Sequence, residues 1–182
     1  MSTAAADRRR ELIASHIHDV PDFPQPGVVF KDITPLLADA RAFAAAVDEL
    51  VAISPGQIDV VVGMEARGFI FAAPVALAMG AGFVPVRKPG KLPRATVAET
   101  FALEYGQETL QLHSDAVLPG ARVLVVDDVL ATGGTVGATA ALIQRLGAEL
   151  VHVSVLMDLS FLGGRQRLAE SGIDAVSAVV TV

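Results

Sequence analysis

VLVVDDVLATGGT, residues 123–135, carries three kinds of chemistry in one line. Its opening Val-Leu-Val-Val is continuous and apolar, which suits a strand buried on both faces of a parallel sheet, because a half-exposed strand alternates polar and apolar residues. Asp127 and Asp128 follow at once. Then come Ala131, Thr132, Gly133, Gly134 and Thr135, small residues whose backbone can turn sharply and present its N–H groups, ahead of an alanine-rich segment with helical spacing. A helix start carries roughly half a positive charge and unpaired N–H groups, so residues 131–135 are the candidate seat for a phosphate. The acidic pair would repel that phosphate and must meet something else. Sugar hydroxyls, or positive charge developing on a sugar ring, are its sensible partners, and a ribose 5-phosphate would satisfy both halves of the motif.

Rival readings of the stretch fail on context. A Walker A loop ends in Gly-Lys-Ser/Thr, and ATGGT has no lysine to reach a terminal phosphate. A dinucleotide-binding turn needs GxGxxG after its strand, which this loop lacks. The opening strand of a receiver domain would need a whole fold after it, and only residues 129–182 remain.

Working outward, Val136, Ala140, Ile143 and Leu146 mark a helix stripe that Gly147 stops, and residues 150–156 read as the next strand. Gly163 and Gly164 precede a short helix, and residues 175–182 close the chain as an edge strand. His152 sits within an apolar run and reads as structural. Upstream, Asp39 caps a helix to about Ile53 with Phe43, Val47 and Leu50 on one stripe. DVVVGM, residues 59–64, is a second buried strand, and EARGF follows it at the same strand-end position that DDVLATGGT occupies on its own. Two such loops fit one crevice. Residues 68–79 are helical and 83–86 form a third strand, which delivers RKPGKLPR with Arg87, Lys88, Lys91 and Arg94. An acidic protein that concentrates cations in one strand-end loop builds a local anion site. Residues 96–113 form two alternating segments about Gly106, a hairpin hood with Glu104 and the chain's single tyrosine, Tyr105, at its bend. Residues 4–18 read as a packing helix. His16 and His18 would point different ways on it, so they make no metal pair. Residues 19–35, with Pro21, Pro24, Pro26 and Pro35, are extended and turning, and the apolar Val28, Val29 and Phe30 suit a flap over a ligand.

These elements specify an α/β fold with a mostly parallel central sheet flanked by helices and a flexible hairpin hood. One domain, 1–182, is expected, with 1–35 as N-terminal helix and flap and 96–113 as a mobile hood. A net charge of −6 argues against general nucleic-acid binding, and the absence of cysteine excludes disulfides, zinc–cysteine sites and thiol nucleophiles. Residues 68–86 lack charge over nearly a bilayer's length, yet Pro74, Gly80, Gly82 and Pro85 divide them into helix, turn and strand. No apolar core follows the N-terminal arginines, so no secretory signal is read there, and a cytoplasmic enzyme is expected.

Four stretches in this order carry a resemblance: VVGMEARGFIFAAP (61–74), VPVRKPGKLP (84–93), LEYG (103–106) and VLVVDDVLATGGT. The last is similar to the phosphoribosyl pyrophosphate (PRPP) signature of the type I phosphoribosyltransferases, and the others resemble the adenine-using branch of that family. The similarity runs from about residue 21 to 168. It implies transfer of the 5-phosphoribosyl group from PRPP to a purine nitrogen, with release of pyrophosphate and magnesium carried on PRPP rather than held by the protein directly. The 5-phosphate would lie on Ala131, Thr132, Gly133, Gly134 and Thr135, and the ribose on Asp127 and Asp128. Pyrophosphate would meet Glu65, Ala66 and Arg67, with a non-proline cis peptide between Glu65 and Ala66, together with Arg87, Lys88 and Lys91. Val28, Val29, Phe30 and Lys31 would line the base pocket. The family pattern carries Arg where this chain has Lys31, and a planar guanidinium stacks on a base better than an ammonium does. The hood would fold over PRPP with Tyr105 as lid, and Glu104 would accept a proton from the purine. A homodimer is the usual state. Residue chemistry alone does not choose adenine, so another purine base and a non-catalytic PRPP sensor stay open.

Overall fold

The computed structural model describes residues 3–102 and 106–182. Contacts divide the chain into two compact units, Met1–Glu49 and Leu50–Val182. The first holds α1 (Thr3–Ser15), β1 (His18–Pro21), β2 (Val29–Asp32), α2 (Thr34–Ala38) and most of α3 (Ala40–Ala52). The proline-punctuated segment is an antiparallel hairpin, with His18 opposite Asp32 and Pro21 opposite Val29. α1 therefore ends at Ser15 rather than 18, because His18 already belongs to β1. The short α2 was hidden by Pro35, which sits in its first turn, where a missing N–H breaks no helical bond. Asp39 caps α3 as the sequence indicates: its Oδ1 accepts the N–H of Arg41 at 2.9 Å and of Ala42 at 2.8 Å. Glu49, buried, is met by Arg9 at 2.6 Å and Arg10 at 3.2 Å.

The second unit runs β3 (Val60–Met64), α4 (Gly68–Met79), β4 (Gly82–Val86), β5 (Thr96–Ala102), β6 (Gln107–His113), β7 (Arg122–Leu130), α5 (Gly134–Arg145) and β8 (Glu149–Asp158). A 3-10 turn (Ser160–Leu162), α6 (Gly164–Glu170) and β9 (Val176–Thr181) complete it. Five strands form one sheet in the order β4-β3-β7-β8-β9, all parallel. Val123, Leu124, Val125 and Val126 are fully buried in its centre, as a continuous apolar run requires. β7 runs beyond the apolar stretch, because β8 continues beside it: Asp127 pairs with Val155, Val129 with Met157 and Leu130 with Asp158. The acidic pair thus lies in a strand and not in the loop after it. On α5 the buried face is Val136, Thr139 and Ile143 with Ala138 and Leu142, so Ala140 and Leu146 stand at its margin. No helix among the described residues is long and apolar enough to cross a membrane.

Connections leave this sheet in two directions. β3 passes through α4 to β4 on one side, while β7 passes through α5 to β8 and on through α6 to β9 on the other. They diverge between β3 and β7, and in open α/β sheets a crevice forms outside the carboxyl ends of strands at such a switch point. β5 and β6 pair as a separate hairpin from Thr96↔His113 to Ala102↔Gln107. Its inner face is anchored by Leu110 and Leu112, both in the core, and its backbone bonds Arg87 to Gln111 in both directions at 3.0 and 2.7 Å.

Candidate active site

A cavity of about 200 Å³ opens at the switch point, lined by residues 65–67 after β3 and 127–136 from β7 into α5. Asp127 and Asp128 are buried there, 9% and 4% exposed. Arg67 Nε lies 2.9 Å from Asp128 Oδ2. Asp127 Oδ1 accepts the Asp128 N–H at 2.9 Å and stands against Gly68, where a Cβ would come within 2.6 Å of that oxygen. Only glycine at the head of α4 lets Asp127 take this position. Burial pushes the Asp127 carboxyl well above the ordinary 3.8, and the charge of Asp128 pushes it further; Arg67 opposes both. Burial raises Asp128 as well, against the pull of Arg67. Two buried carboxylates with one guanidinium make a site that favours positive charge.

Glu65 organises the cations. A cis peptide joins it to Ala66, at the bond the family resemblance indicated. Its carboxylate accepts from Lys91 Nζ, from Arg87 Nε at 3.2 Å and from the Lys88 backbone N–H at 3.0 Å. The Lys91 hydrogen bond, aided by Lys88 and Arg87 against the effect of burial, holds the Glu65 carboxyl down at about 2. Lys88 Nζ pairs instead with Glu108 on the hood, whose hydrogen bond raises the lysine. Arg94, unassigned from sequence, pairs with Asp115.

The loop between β7 and α5 turns at Gly133, whose φ of +83° favours glycine, and α5 begins at Gly134. Gly133 at the N-cap position has no side chain to cap α5, which suits its first-turn N–H groups to an external acceptor. Thr132 and Thr135 line the same cavity.

A phosphoribosyl transferase domain is matched over residues 30–174, most of the chain. The chain belongs to that family. An adenine phosphoribosyltransferase of Cutibacterium acnes is 64% identical over 174 residues, covering 96% of this chain and 98% of the relative. The crystal structure of adenine phosphoribosyltransferase from Thermoanaerobacter pseudethanolicus superposes with a TM-score of 0.90 at 46% identity, over 95% of this chain and 99% of that one. The Saccharomyces cerevisiae enzyme, solved with adenine and an imino-altritol bisphosphate, superposes with a TM-score of 0.88 at 35% identity, over 95% and 99% of the two chains.

In this phosphoribosyltransferase the structure brings together Glu65, Ala66, Arg67, Asp127, Asp128 and residues 131–135, with Arg87 and Lys91 tied to them through Glu65. Val28, Val29, Phe30 and Lys31 lie in the first unit. Val28 donates to Gln25 and accepts from Phe23, both at 3.2 Å; Phe30 meets Phe23 edge-on at 5.1 Å; Lys31 pairs with Asp19 at 2.6 Å rather than pointing to solvent. Glu104 and Tyr105 fall outside the described residues. His152 is half-buried and bonded to Ser177 at 3.0 Å, a structural histidine. A larger depression of about 540 Å³ lies between α5 and the amino ends of β8 and β9, away from every strand-end loop. Among the described residues that line it there is no Lys or Arg, in contrast to the smaller cavity with Arg67.

Sequence reasoning missed two residues of the site. Gly68 read as the start of a helix, although a glycine directly after a charged strand-end loop signals close approach. Phe101 of β5 read as one apolar position in an alternating strand, yet its ring lies against Gly134.

Proposed function

We propose that this phosphoribosyltransferase transfers the 5-phosphoribosyl group of PRPP to adenine, giving AMP and pyrophosphate. The observation that carries the reading is the pairing, in one cavity, of a helix start without a side-chain cap and two buried carboxylates. The first suits the 5-phosphate, seated on residues 131–135. The second suits the ribose, where positive charge develops as pyrophosphate leaves. Asp127 and Asp128 are preorganised at that point, and burial strengthens their effect on the transition state.

Glu65, a carboxylate, does not itself bind pyrophosphate. It holds Arg87 and Lys91 in place, and with Arg67 these cations receive the leaving group. Lys88 joins them once its pairing with Glu108 is exchanged for phosphate. Magnesium would ride on the oxygens of PRPP without a direct protein ligand and neutralise charge on the diphosphate, while Asp127 and Asp128 hold the ribose hydroxyls. The base is assigned to Val28, Val29, Phe30 and Lys31. Because the Val28 N–H is already committed, Val29, opposite a proline with no N–H to offer, is the better reader of the purine edge.

Glu104 takes the proton from the purine as its nitrogen bonds to the sugar, and Tyr105 closes the site. The base of the hood is packed on the core through Leu110 and Leu112. The reading includes a single functional domain, a cytoplasmic location and a homodimer. The uncharged face of α4 and edge strand β4, with Ile70, Leu77 and Phe83 exposed, is where a second copy would bury apolar surface. Light scattering checks the dimer.

The deciding assay mixes purified protein, PRPP and magnesium with adenine, hypoxanthine or guanine. AMP is expected readily, and IMP or GMP poorly, since the exocyclic donor of adenine becomes an acceptor in the others. Comparable rates with hypoxanthine overturn the adenine assignment, and no pyrophosphate release with any base overturns the enzyme reading. Glu104→Gln should lose roughly 10² to 10⁴ in rate while PRPP binding persists.

A further inference from the structure

The reverse side of the phosphate loop is held by a second glycine contact far along the chain. A Cβ on Gly133 would come within 2.9 Å of the Gly164 carbonyl oxygen and 3.3 Å of Leu168 Cγ. A Cβ on Gly164 would overlap the Ala131 carbonyl oxygen and lie 3.1 Å from the Gly133 nitrogen. The two backbones therefore meet with nothing between them. Gly164 is not in the left-handed region, so glycine is required there by space and not by its φ.

The head of α6 that presents Gly164 is fixed in turn. Arg165 Nε donates to Asp158 Oδ2 at 3.1 Å, and its Nη1 donates to the Val176 carbonyl, tying α6 to the ends of β8 and β9. Leu168, buried in the core beneath Gly133, seats the next turn. At the loop's entry, the Leu159 N–H donates to the Leu130 carbonyl at 2.9 Å.

The geometry points to Gly164 as a positioning residue for PRPP: it sets the backbone of residues 131–133 from behind, with Arg165 holding it in place, so that the loop's N–H groups converge on the 5-phosphate. This rests on the assignment of that loop to the 5-phosphate. The atoms nearest a Cβ on Gly164 are the Ala131 carbonyl and the Gly133 nitrogen, so its influence falls on PRPP affinity and leaves the chemical step intact. An added methyl there must move the Ala131 carbonyl or displace α6, because the atom it meets is backbone. Misplacement of binding groups on this scale weakens their interaction roughly ten- to a hundredfold.

The test is steady-state kinetics on Gly164→Ala, Arg165→Met and Thr132→Val, with thermal melts of each. Gly164→Ala should raise the PRPP KM roughly ten- to a hundredfold with kcat and the adenine KM near wild type. An unchanged PRPP KM, or a loss confined to kcat, overturns the proposal. Arg165→Met changes a half-exposed side chain and decides the matter if Gly164→Ala does not fold: a smaller rise in PRPP KM supports the proposal, and none overturns it. Thr132→Val separates the two assignments. If it raises the PRPP KM while the other two variants do not, the loop binds the phosphate and only the role of Gly164 falls. If it leaves PRPP binding untouched, the 5-phosphate assignment itself is wrong.

Discussion

Arg67 and Asp128, 61 positions apart (128 − 67), are joined by a 2.9 Å contact across the mouth of the candidate site. The cation proposed for pyrophosphate is thus held by a carboxylate proposed for ribose, and PRPP binding exchanges these partners. A hydrogen bond to a charged group contributes about 1.5–3 kcal/mol, so Arg67→Ala should raise the PRPP KM by roughly 10- to 100-fold. It should also leave Asp128 without the charge that opposes burial, raising that carboxyl further. The acid limb of kcat/KM for PRPP should then move to higher pH; a limb that stays in place would show that Asp128 does not need its charge for PRPP.

Asp127 is expected to support catalysis against stability. The unfolded chain releases this proton near 3.8, and the folded chain only at higher pH. Between those values the folded state holds more protons, so stability falls as pH rises through the window. Asp127→Asn removes the penalty: its melting temperature should exceed wild type at neutral pH, and the difference should vanish below pH 3.8. In the same variant kcat should drop on the order of 10²-fold or more, as for other lost transition-state electrostatics. A variant that melts earlier at neutral pH refutes the stability half.

Glu65 has the opposite sign. Its folded pKa of about 2 lies below the ordinary 4.5, so its stabilisation is present above 4.5 and is lost as pH falls toward 2. Glu65→Gln should flatten the stability profile over that interval. It should also release Lys91 and Arg87 and raise the PRPP KM by a factor on the order of 10. Acid titration of both proteins by circular dichroism, with PRPP kinetics at neutral pH, checks the two effects separately.

Phe101 and Gly134 should be coupled. A Cβ on Gly134 would stand 3.0 to 3.1 Å from the Phe101 ring, so the side chain it lacks would press first on the hood and not on the phosphate. Gly134→Ala should raise the PRPP KM, and adding Phe101→Ala should recover part of that loss. A double mutant cycle shows it: full additivity means the methyl acts only on the phosphate, whereas recovery places the clash at the hood.

Much of this molecule was legible because its signals are local. Apolar β-branched runs located β3, β7 and β8 without reference to their neighbours, and Asp39, Gly80 and Gly147 marked helix ends by their own side-chain and backbone chemistry. The strand-end loops at residues 65–67 and 131–135 stood out because charged or small residues directly follow buried runs. Where a neighbour decides, sequence was silent. β7 extends through Asp127 only because β8 runs beside it, and the β1–β2 hairpin exists because residues 18–21 and 29–32 found each other across a proline-rich turn. The pairing of Arg67 with Asp128, the gathering of Arg87 and Lys91 by Glu65, and the backbone contact of Gly133 with Gly164 join residues 22 to 61 positions apart. Periodicity and capping report each residue's own surroundings along the chain, whereas those contacts depend on the order in which parallel strands enter the sheet, and that order brings the strand-end loops to one switch point.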